Sequence, residues 1–235
     1  MNSKNRVVLM GNEWRTRMKG LTYGLIPVLL MAALLFGSSG QFFWRMAWIF
    51  IIVHVIATII LALGVSPSLI EERSERRKGV KKWDQAMVLL LSVLGFIILL
   101  LAGLDHRFHW TDSFSLMLQI SGLCMFILGY GIVINSGITN KFFSGVIRIQ
   151  SDRGHHVVTE GPYQYIRHPG YFGLILCMIA EPLMFNSLWA AIPTVCAVIL
   201  FLIRTYLEDC TLKDELSGYS EYSRQVRFRI IPGIW

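Results

Sequence analysis

Residues 161–173, with the sequence GPYQYIRHPGYFG, concentrate polar and ring-bearing side chains directly before a long apolar run. Their two prolines and three glycines exclude a regular helix through the whole segment, so its backbone N–H and C=O groups are free to bind a ligand. Arg167 and His168 offer hydrogen-bond donors, and the glycines allow a close approach of backbone. The segment is therefore a candidate binding site, or else a structured turn that its arginine and tyrosines anchor at a membrane surface.

A second polar cluster lies at the end of the last apolar run. Arg204 and Glu208 are spaced i,i+4, so they share one face of a helix, with Asp209 on its flank. Ionisable residues at the edge of a membrane span are costly unless they are paired or functional. The cluster indicates a partner for the first site, the alternative being a simple Arg204–Glu208 salt bridge at the interface.

The composition indicates which solvent surrounds these clusters. Hydrophobic residues make up 54% of the 235, charged residues make up 16%, and the mean hydropathy is +0.53, so we expect a multi-pass membrane protein. The pattern predicts an all-α fold of about six transmembrane helices, the last two forming either two full spans or a helical hairpin. The first run lacks a small-residue cleavage site and is expected to be a span, not a cleaved signal peptide. The predicted spans are residues 21–37, 43–64, 86–104, 114–134, 171–185 and 188–206.

The distribution of Lys and Arg predicts the orientation. With six spans, only Arg45 and Arg107 of the 22 Lys and Arg residues fall on one side of the membrane. The positive-inside rule then places both termini, and the 161–173 segment, in the cytoplasm. The net charge of +7 is explained by attraction of these loops to anionic lipid headgroups, without nucleic acid.

The connecting segments predict how the site is built. Residues 71–82 are expected to form a solvated, charge-paired helix. Lys141, Phe142, Phe143 and Arg148 are expected to anchor an interfacial stretch, followed by a polar bridge and a short extended piece that enters Gly161. We therefore divide the chain into a four-helix transmembrane region, residues 1–134, and a C-terminal region, residues 135–235, that wraps a cytoplasmic pocket.

The histidines do not indicate a metal site. A metal centre needs three or four convergent ligands. His155 and His156 are adjacent and would point apart in an extended chain, and the four cysteines have no C-x-x-C spacing. We therefore expect no metal.

The residue order in both clusters resembles the isoprenylcysteine carboxyl methyltransferase family, which belongs with the integral-membrane methyltransferases that include phospholipid methyltransferases. Residues 155–173 read H-x-V-V-T-x-G-P-Y-x-Y-x-R-H-P-x-Y-x-G, and residues 204–209 read R-x-x-x-E-D. The first four apolar runs are similar only in length and order. The chain departs from the family pattern at Asp209, where a glutamate is common.

The resemblance implies S-adenosylmethionine as the cofactor, held by the cytoplasmic segment. It further implies that Glu208 binds the amino end of the cofactor, that Arg204 faces the methyl acceptor, and that these two residues are the catalytic ones. The cofactor-binding residues expected from the resemblance are Gln150, His155, His156, Val157, Val158, Gly161, Tyr163, Arg167, His168, Pro169, Gly170, Tyr171 and Glu208.

The expected reaction is carboxyl O-methylation of an isoprenylcysteine-type acceptor, a lipophilic or lipidated molecule that arrives from the bilayer. A carboxylate needs no general base at pH 7, whereas an amine acceptor, as in phospholipid N-methylation, would need Glu208 to take a proton. A sterol-type reductase using NADPH is a more distant alternative, because Leu174 stands where those proteins tend to carry a glutamate. The expected location is the plasma membrane of a prokaryote or the endoplasmic reticulum of a eukaryote.

Overall fold

A computed structural model describes residues 3–74 and 79–235, with side-chain detail from Gly11 onward. Throughout these ranges the regular structure is helical, and no strand is formed. Short 3-10 turns occupy Ser151–Arg153 and Gly161–Gln164. The α-helices are α1 (Ser3–Ser39), α2 (Arg45–Gly64), α3 (Pro67–Ser74), α4 (Lys82–Phe108), α5 (Leu116–Thr139), α6 (Pro169–Phe185), α7 (Leu188–Glu215) and α8 (Tyr219–Gln225).

Five helices in the described ranges are long and apolar enough to cross a membrane: α1 from Gly11, α2, α4, α5 and α7. The expected fifth run corresponds to α6, which has 17 residues and is therefore about 25 Å long, short of the ~30 Å hydrocarbon core. Asn186 and Ser187 alone join α6 to α7, with Asn186 in the left-handed conformation. The multi-pass, all-helical prediction is confirmed, with five candidate spans and a shorter apolar helix.

Helix α6 lies closely against α5. At the crossing, a Cβ on Gly129 would lie 2.6 Å from the carbonyl oxygen of Gly173, and a Cβ on Gly173 would lie 2.5 Å from that of Gly129. The two backbones therefore touch because neither residue has a side chain. This contact fixes the first turns of α6, and with them the end of the 161–173 segment.

The basic segments meet at one end of the bundle, which we call the basic end. Lys81 donates its backbone N–H to the carbonyl of Ile147 (3.1 Å), and Arg167 donates its backbone N–H to the carbonyl of Phe228 (3.0 Å). Arg17 of α1 donates to the carbonyl of Leu63, at the end of α2. Residues 79–81, the loop after α5 and the C-terminal tail thus lie at the same end of the bundle.

The opposite end is closed by a buried carboxylate. Asp105 of α4 accepts hydrogen bonds from the Thr111 hydroxyl (2.7 Å) and the Ser187 hydroxyl (2.6 Å). It also accepts from the backbone N–H of Thr111 (2.8 Å). Asp105 is 2% exposed, and it joins the end of α4 to the turn between α6 and α7.

The expectation of a solvated helix over residues 71–82 is wrong. Helix α3 ends at Ser74, α4 begins at Lys82, and residues 75–78 lie outside the described ranges. Glu72 is 2% exposed and accepts two hydrogen bonds from Arg148, at 2.7 and 2.6 Å. A buried carboxylate requires such a partner, so this charge run joins α3 to the C-terminal region and is not simply exposed to water.

Candidate active site

A polar cavity opens at the basic end, between the loop after α5, the start of α6 and the end of α7. Its empty volume is about 750 Å³, including its mouth. Eleven of the thirteen predicted cofactor residues line this cavity. The other two, Gly161 and Pro169, do not. The eleven are Gln150, His155, His156, Val157, Val158, Tyr163, Arg167, His168, Gly170, Tyr171 and Glu208.

The loop before Val157 is shaped by its own hydrogen bonds. The 3-10 turn Ser151–Arg153 ends at Gly154, whose φ of 64° is left-handed. The backbone N–H of His155 donates to the Gln150 carbonyl (3.2 Å), and the Gln150 N–H donates back to His155 Nδ1 (3.2 Å). The rings of His155 and His156 both pack on Phe142, with centroids 4.5 and 5.0 Å away. The two histidines therefore share one aromatic support.

His155 is held neutral. Burial lowers the pKa of its imidazole from 6.5 to about 4, and the neighbouring His156, Arg153 and Arg148 lower it further in the same direction. A neutral imidazole beside Val157 and Val158 suits an uncharged, ring-shaped part of a ligand.

Gln150 is buried, and both ends of its amide bind protein. Its Nε2 donates to the Phe142 carbonyl (2.9 Å), and its Oε1 accepts from Arg153. Gln150 lines the cavity, but in this arrangement it holds the loop.

The Arg167–His168 step is fixed by the C-terminal tail. The backbone N–H of His168 donates to the Arg229 carbonyl (2.8 Å), next to the Arg167–Phe228 bond. Pro169 then occupies the first turn of α6, where its missing N–H is not needed. Pro169 therefore starts the helix and does not face the cavity.

The guanidinium of Arg167 binds protein groups. Its Nε and Nη2 donate to the two carboxylate oxygens of Asp209 (2.7 and 2.9 Å), and its Nη1 donates to the Val226 and Arg227 carbonyls (2.7 and 2.8 Å). Asp209 is fully buried, also accepts from Arg229 and Tyr219, and forms an ion pair with Lys213 (3.1 Å). The interpretation of Arg167 as a free donor is therefore corrected, because Arg167 and Asp209 form the buried joint between α7, the 161–173 segment and the tail.

Glu208 differs from its neighbour. Its Oε2 is buried and, among the described residues, has no hydrogen-bond partner. His168 Nδ1 lies 3.9 Å from this oxygen, beyond hydrogen-bond distance. A buried carboxylate oxygen without a partner costs free energy, so this atom is available to a cationic or N–H-bearing ligand.

The glycines of the 161–173 segment approach protein atoms. A Cβ on Gly170 would lie 2.4 Å from the ring of Phe143, and Gly173 contacts α5. Gly161 has a φ of +55°, which favours glycine, and it lies beside Thr139, away from the cavity. These glycines allow close packing within the protein, and Gly170 also lines the polar cavity. That they let backbone approach a ligand stays a prediction.

A second, more apolar cavity adjoins the first and contains Arg204. It is lined by α4, α6 and α7 side chains, including Val88, Leu91 and Phe201. Phe143, Ser144, Val146 and Tyr171 line both cavities, so they form the boundary between them. The two spaces lie side by side, one polar and one apolar.

Arg204 is 4% exposed and is held on three sides. Its Nε donates to Asp84 Oδ1 (2.7 Å), its Nη1 to the Tyr171 hydroxyl (2.8 Å), and its Nη2 to the Gly145 carbonyl (3.0 Å). The alternative of an Arg204–Glu208 salt bridge is wrong, because the ion pair runs to Asp84. A guanidinium has five N–H groups, so each Nη nitrogen keeps one more donor for a ligand.

Several site residues were missed by sequence reasoning. Asp84, Tyr219 and Tyr222 were not assigned to the site, yet Asp84 binds Arg204 and both tyrosines line the polar cavity. Phe142 and Arg148 were expected at the lipid interface, but both are buried. The sequence did offer one indication for Asp84. It is a charged residue at the edge of an apolar run, where a carboxylate is expected to have a partner.

No group of three or more His, Cys, Asp or Glu side chains suited to a metal ion occurs in the described ranges. Arginine, carboxylate, histidine and tyrosine groups line the polar cavity.

The fold and the site define a multi-pass, all-helical membrane protein in which a polar cavity adjoins an apolar one that contains a buried arginine. The model of the isoprenylcysteine carboxyl methyltransferase family matches residues 123–214. Protein-S-isoprenylcysteine O-methyltransferase B of Arabidopsis thaliana is 32% identical over 145 residues, which cover 60% of this chain and 70% of that protein. Protein-S-isoprenylcysteine O-methyltransferase A of the same plant is 27% identical over the same shares.

One solved structure is of the eukaryotic intramembrane Ras methyltransferase ICMT without a monobody. It is 18% identical with a TM-score of 0.48, and the match covers 100% of this chain and 88% of that one. The chain belongs to the isoprenylcysteine carboxyl methyltransferase family. It is therefore a methyltransferase.

Proposed function

We propose that this protein methylates the carboxylate of an isoprenylcysteine-type acceptor, using S-adenosylmethionine. The observation that carries the proposal is the adjoining pair of cavities, which meet at Tyr171 and place Glu208 on the polar side and Arg204 on the apolar side. A transfer between a polar donor and a lipophilic acceptor needs this division, because each reactant requires a different environment until their reacting atoms meet.

The polar cavity fits S-adenosylmethionine in its chemistry. Glu208 Oε2, buried and without a partner among the described residues, would accept from the ammonium of the amino acid part. His155, neutral beside Val157 and Val158, would contact the adenine or the ribose. The bound cofactor supplies a methyl group on a positively charged sulfonium.

The apolar cavity fits an acceptor with a carboxylate. Arg204 presents only donors, which match carboxylate oxygens, and its Nε is fixed by Asp84. An amine acceptor would instead need a proton acceptor at this point, and Glu208 lines only the polar cavity. The geometry therefore favours carboxyl methylation over phospholipid amine methylation.

The acceptor would arrive from the bilayer. Ser92 lines the apolar cavity and is exposed on α4, and its neighbours Leu90 and Val93 are exposed apolar residues on the same helix. In this proposal an apolar chain would enter the cavity past this exposed part of α4. In this proposal the basic end and both termini face the cytoplasm, in a plasma membrane or an endoplasmic reticulum membrane, and residues 135–235 form the methyltransferase region.

Calorimetry on detergent-purified protein tests the cofactor, with S-adenosylmethionine and NADPH as separate ligands. We expect heat from S-adenosylmethionine alone, and heat from NADPH alone would overturn the methyltransferase proposal. Transfer of labelled methyl to an N-acylated S-prenylcysteine, with phosphatidylethanolamine in a parallel reaction, tests the acceptor. If label appeared in the phospholipid and none in the prenylcysteine, the proposal of carboxyl methylation would be overturned in favour of amine methylation.

A further inference from the structure

Asp84 holds both Arg204 and the boundary between the cavities. It is fully buried at the start of α4. Its Oδ1 accepts from Arg204 Nε (2.7 Å), and its Oδ2 accepts from the backbone N–H of Ile147 (2.7 Å). The backbone of Lys81 binds the Ile147 carbonyl (3.1 Å), so both polar groups of Ile147 are held by the start of α4.

The same ring of contacts closes through Gly145, whose carbonyl accepts from Arg204 Nη2 (3.0 Å). Hydrogen bonds therefore join Asp84, Arg204 and the 145–147 backbone, and this backbone lies along the boundary that Ser144 and Val146 form. Asp84 touches neither cavity, since it is absent from both linings.

The charges around the apolar cavity show what Asp84 does electrostatically. Arg204 is buried, and the negative charge of Asp84 balances it at hydrogen-bond distance. Glu72 also lines the cavity but is paired with Arg148. Arg73, the other cation of the lining, is exposed on α3 and donates to the Phe143 carbonyl (2.6 Å). A carboxylate placed at Arg204 therefore meets oriented N–H donors on a neutral ion pair, not an isolated buried cation.

We propose that Asp84 is a positioning residue that keeps Arg204 oriented and charge-balanced, so that the acceptor carboxylate is held without losing its nucleophilicity. This inference rests on the proposed function. In the transfer, a lone pair on the carboxylate oxygen forms the O–CH₃ bond, and the C–S bonding pair returns to sulfur. The carboxylate becomes a neutral ester, the sulfonium becomes a thioether, and no proton moves.

The reaction removes the negative charge of the acceptor, so a stronger electrostatic hold stabilises the reactant more than the transition state. An unbalanced Arg204 would therefore bind the acceptor more tightly and react more slowly. Asp84→Asn keeps the shape of the side chain and removes the balancing charge. Its amide has one acceptor for the two N–H groups that Asp84 binds, so its melting temperature should fall as well. We expect its KM for the acceptor and its kcat each to fall ~10-fold, the effect of strengthening one charge-assisted hydrogen bond, while kcat/KM stays within ~3-fold.

Asp105→Asn is the matched control, because Asp105 is a buried carboxylate on the same helix at the opposite end. We expect this variant to melt at a lower temperature with kcat and KM unchanged. A KM that stays constant or rises in Asp84→Asn, with a reduced kcat, would overturn the inference, since a merely structural defect gives that pattern.

A wild-type measurement keeps the test independent of the folding of the variant. The affinity of an N-acylated S-prenylcysteine is compared with that of its carboxamide, with S-adenosylhomocysteine bound. We expect a difference within ~10-fold, and a preference for the carboxylate above ~100-fold would indicate an unbalanced cation and refute the role of Asp84. Failure of the wild type to methylate the acceptor would overturn the proposed function instead, and the binding comparison would still report on Arg204.

Discussion

Glu208→Gln tests the cofactor site, because the side chain keeps its shape and loses its charge. In the cofactor-free protein Glu208 Oε2 is buried, has no partner among the described residues, and lies 3.9 Å from His168 Nδ1. The side chain is 20% exposed, so the cost of burying the charge is partly relieved by water. We therefore expect the cofactor-free variant to be more stable by about 1 kcal/mol, which raises its melting temperature by about 2–4 °C.

The same substitution has the opposite effect on cofactor affinity. Replacing the carboxylate removes a charge-assisted hydrogen bond to an ammonium, worth about 1.5–3 kcal/mol, so the Kd for S-adenosylmethionine rises ~10–100-fold. At a cofactor concentration 100 times the wild-type Kd, binding stabilises the wild type by about 2.7 kcal/mol. The variant gains about 1 kcal/mol or less at that concentration if its Kd is ~30-fold weaker.

The assay is a thermal melt in detergent across a titration of S-adenosylmethionine. We expect the two melting curves to cross, with the variant more stable without cofactor and the wild type more stable at high cofactor. Glu215→Gln is the control on the same helix, where an exposed pair with Lys81 contributes at most about 1 kcal/mol. Equal Kd values for wild type and Glu208→Gln would refute the assignment of Glu208 to the cofactor.

Three further predictions concern the other side chains of the site. Arg204→Lys keeps the charge but not the fork geometry, so the Kd for S-adenosylmethionine should stay within ~3-fold while turnover falls ~100-fold or more; calorimetry and methyl transfer measure the two. Asp209→Asn leaves Arg167 buried without its carboxylate, so stability should fall by about 3 kcal/mol or more, whereas exposed Asp214→Asn should change the melting temperature little. Burial lowers the pKa of His155 to about 4, so the unfolded chain binds more protons between pH 6.5 and pH 4; the melting temperature should fall as the pH falls through this window, and His155→Gln should flatten that fall. An Arg204→Lys enzyme with wild-type turnover, a stable Asp209→Asn or an unchanged pH profile in His155→Gln would each contradict the corresponding assignment.

The transmembrane helices were predictable from the sequence because a span of apolar residues has few alternatives in a bilayer. The run at 86–104 lies within α4, and α2 covers residues 45–64 of the run at 43–64. The short α6 was harder to interpret, because hydropathy gives its apolar character but its 17 residues leave it below the thickness of the hydrocarbon core.

Most residues around the polar cavity were predictable from the family resemblance of residues 155–173 and 204–209. Their roles were less predictable. Arg167 appears in the sequence as an isolated donor, but Asp209, 42 positions later, takes two of its N–H groups. The shorter aspartate at this position reaches Arg167 in a fully buried joint.

Long-range ion pairs could not be predicted from local patterns. Asp84 and Arg204 are 120 positions apart, and Glu72 and Arg148 are 76 apart. The charged residues around each acidic residue suggest an exposed side chain that pairs with a neighbour in its own helix. Packing of α3 and α4 against the C-terminal region buries these two carboxylates. A buried carboxylate needs a partner, and here the partner is an arginine distant in the sequence.

The chemical nature of the methylated product tests the central proposal most directly. Detergent-purified protein is given S-adenosylmethionine with a labelled methyl group and an N-acylated S-prenylcysteine, and the extracted product is treated with mild alkali. A methyl ester releases its label as methanol, and we expect this release from the wild type and its loss in Arg204→Lys. Label that remains bound after alkali, or that appears only in phosphatidylethanolamine, would contradict carboxyl methylation at Arg204.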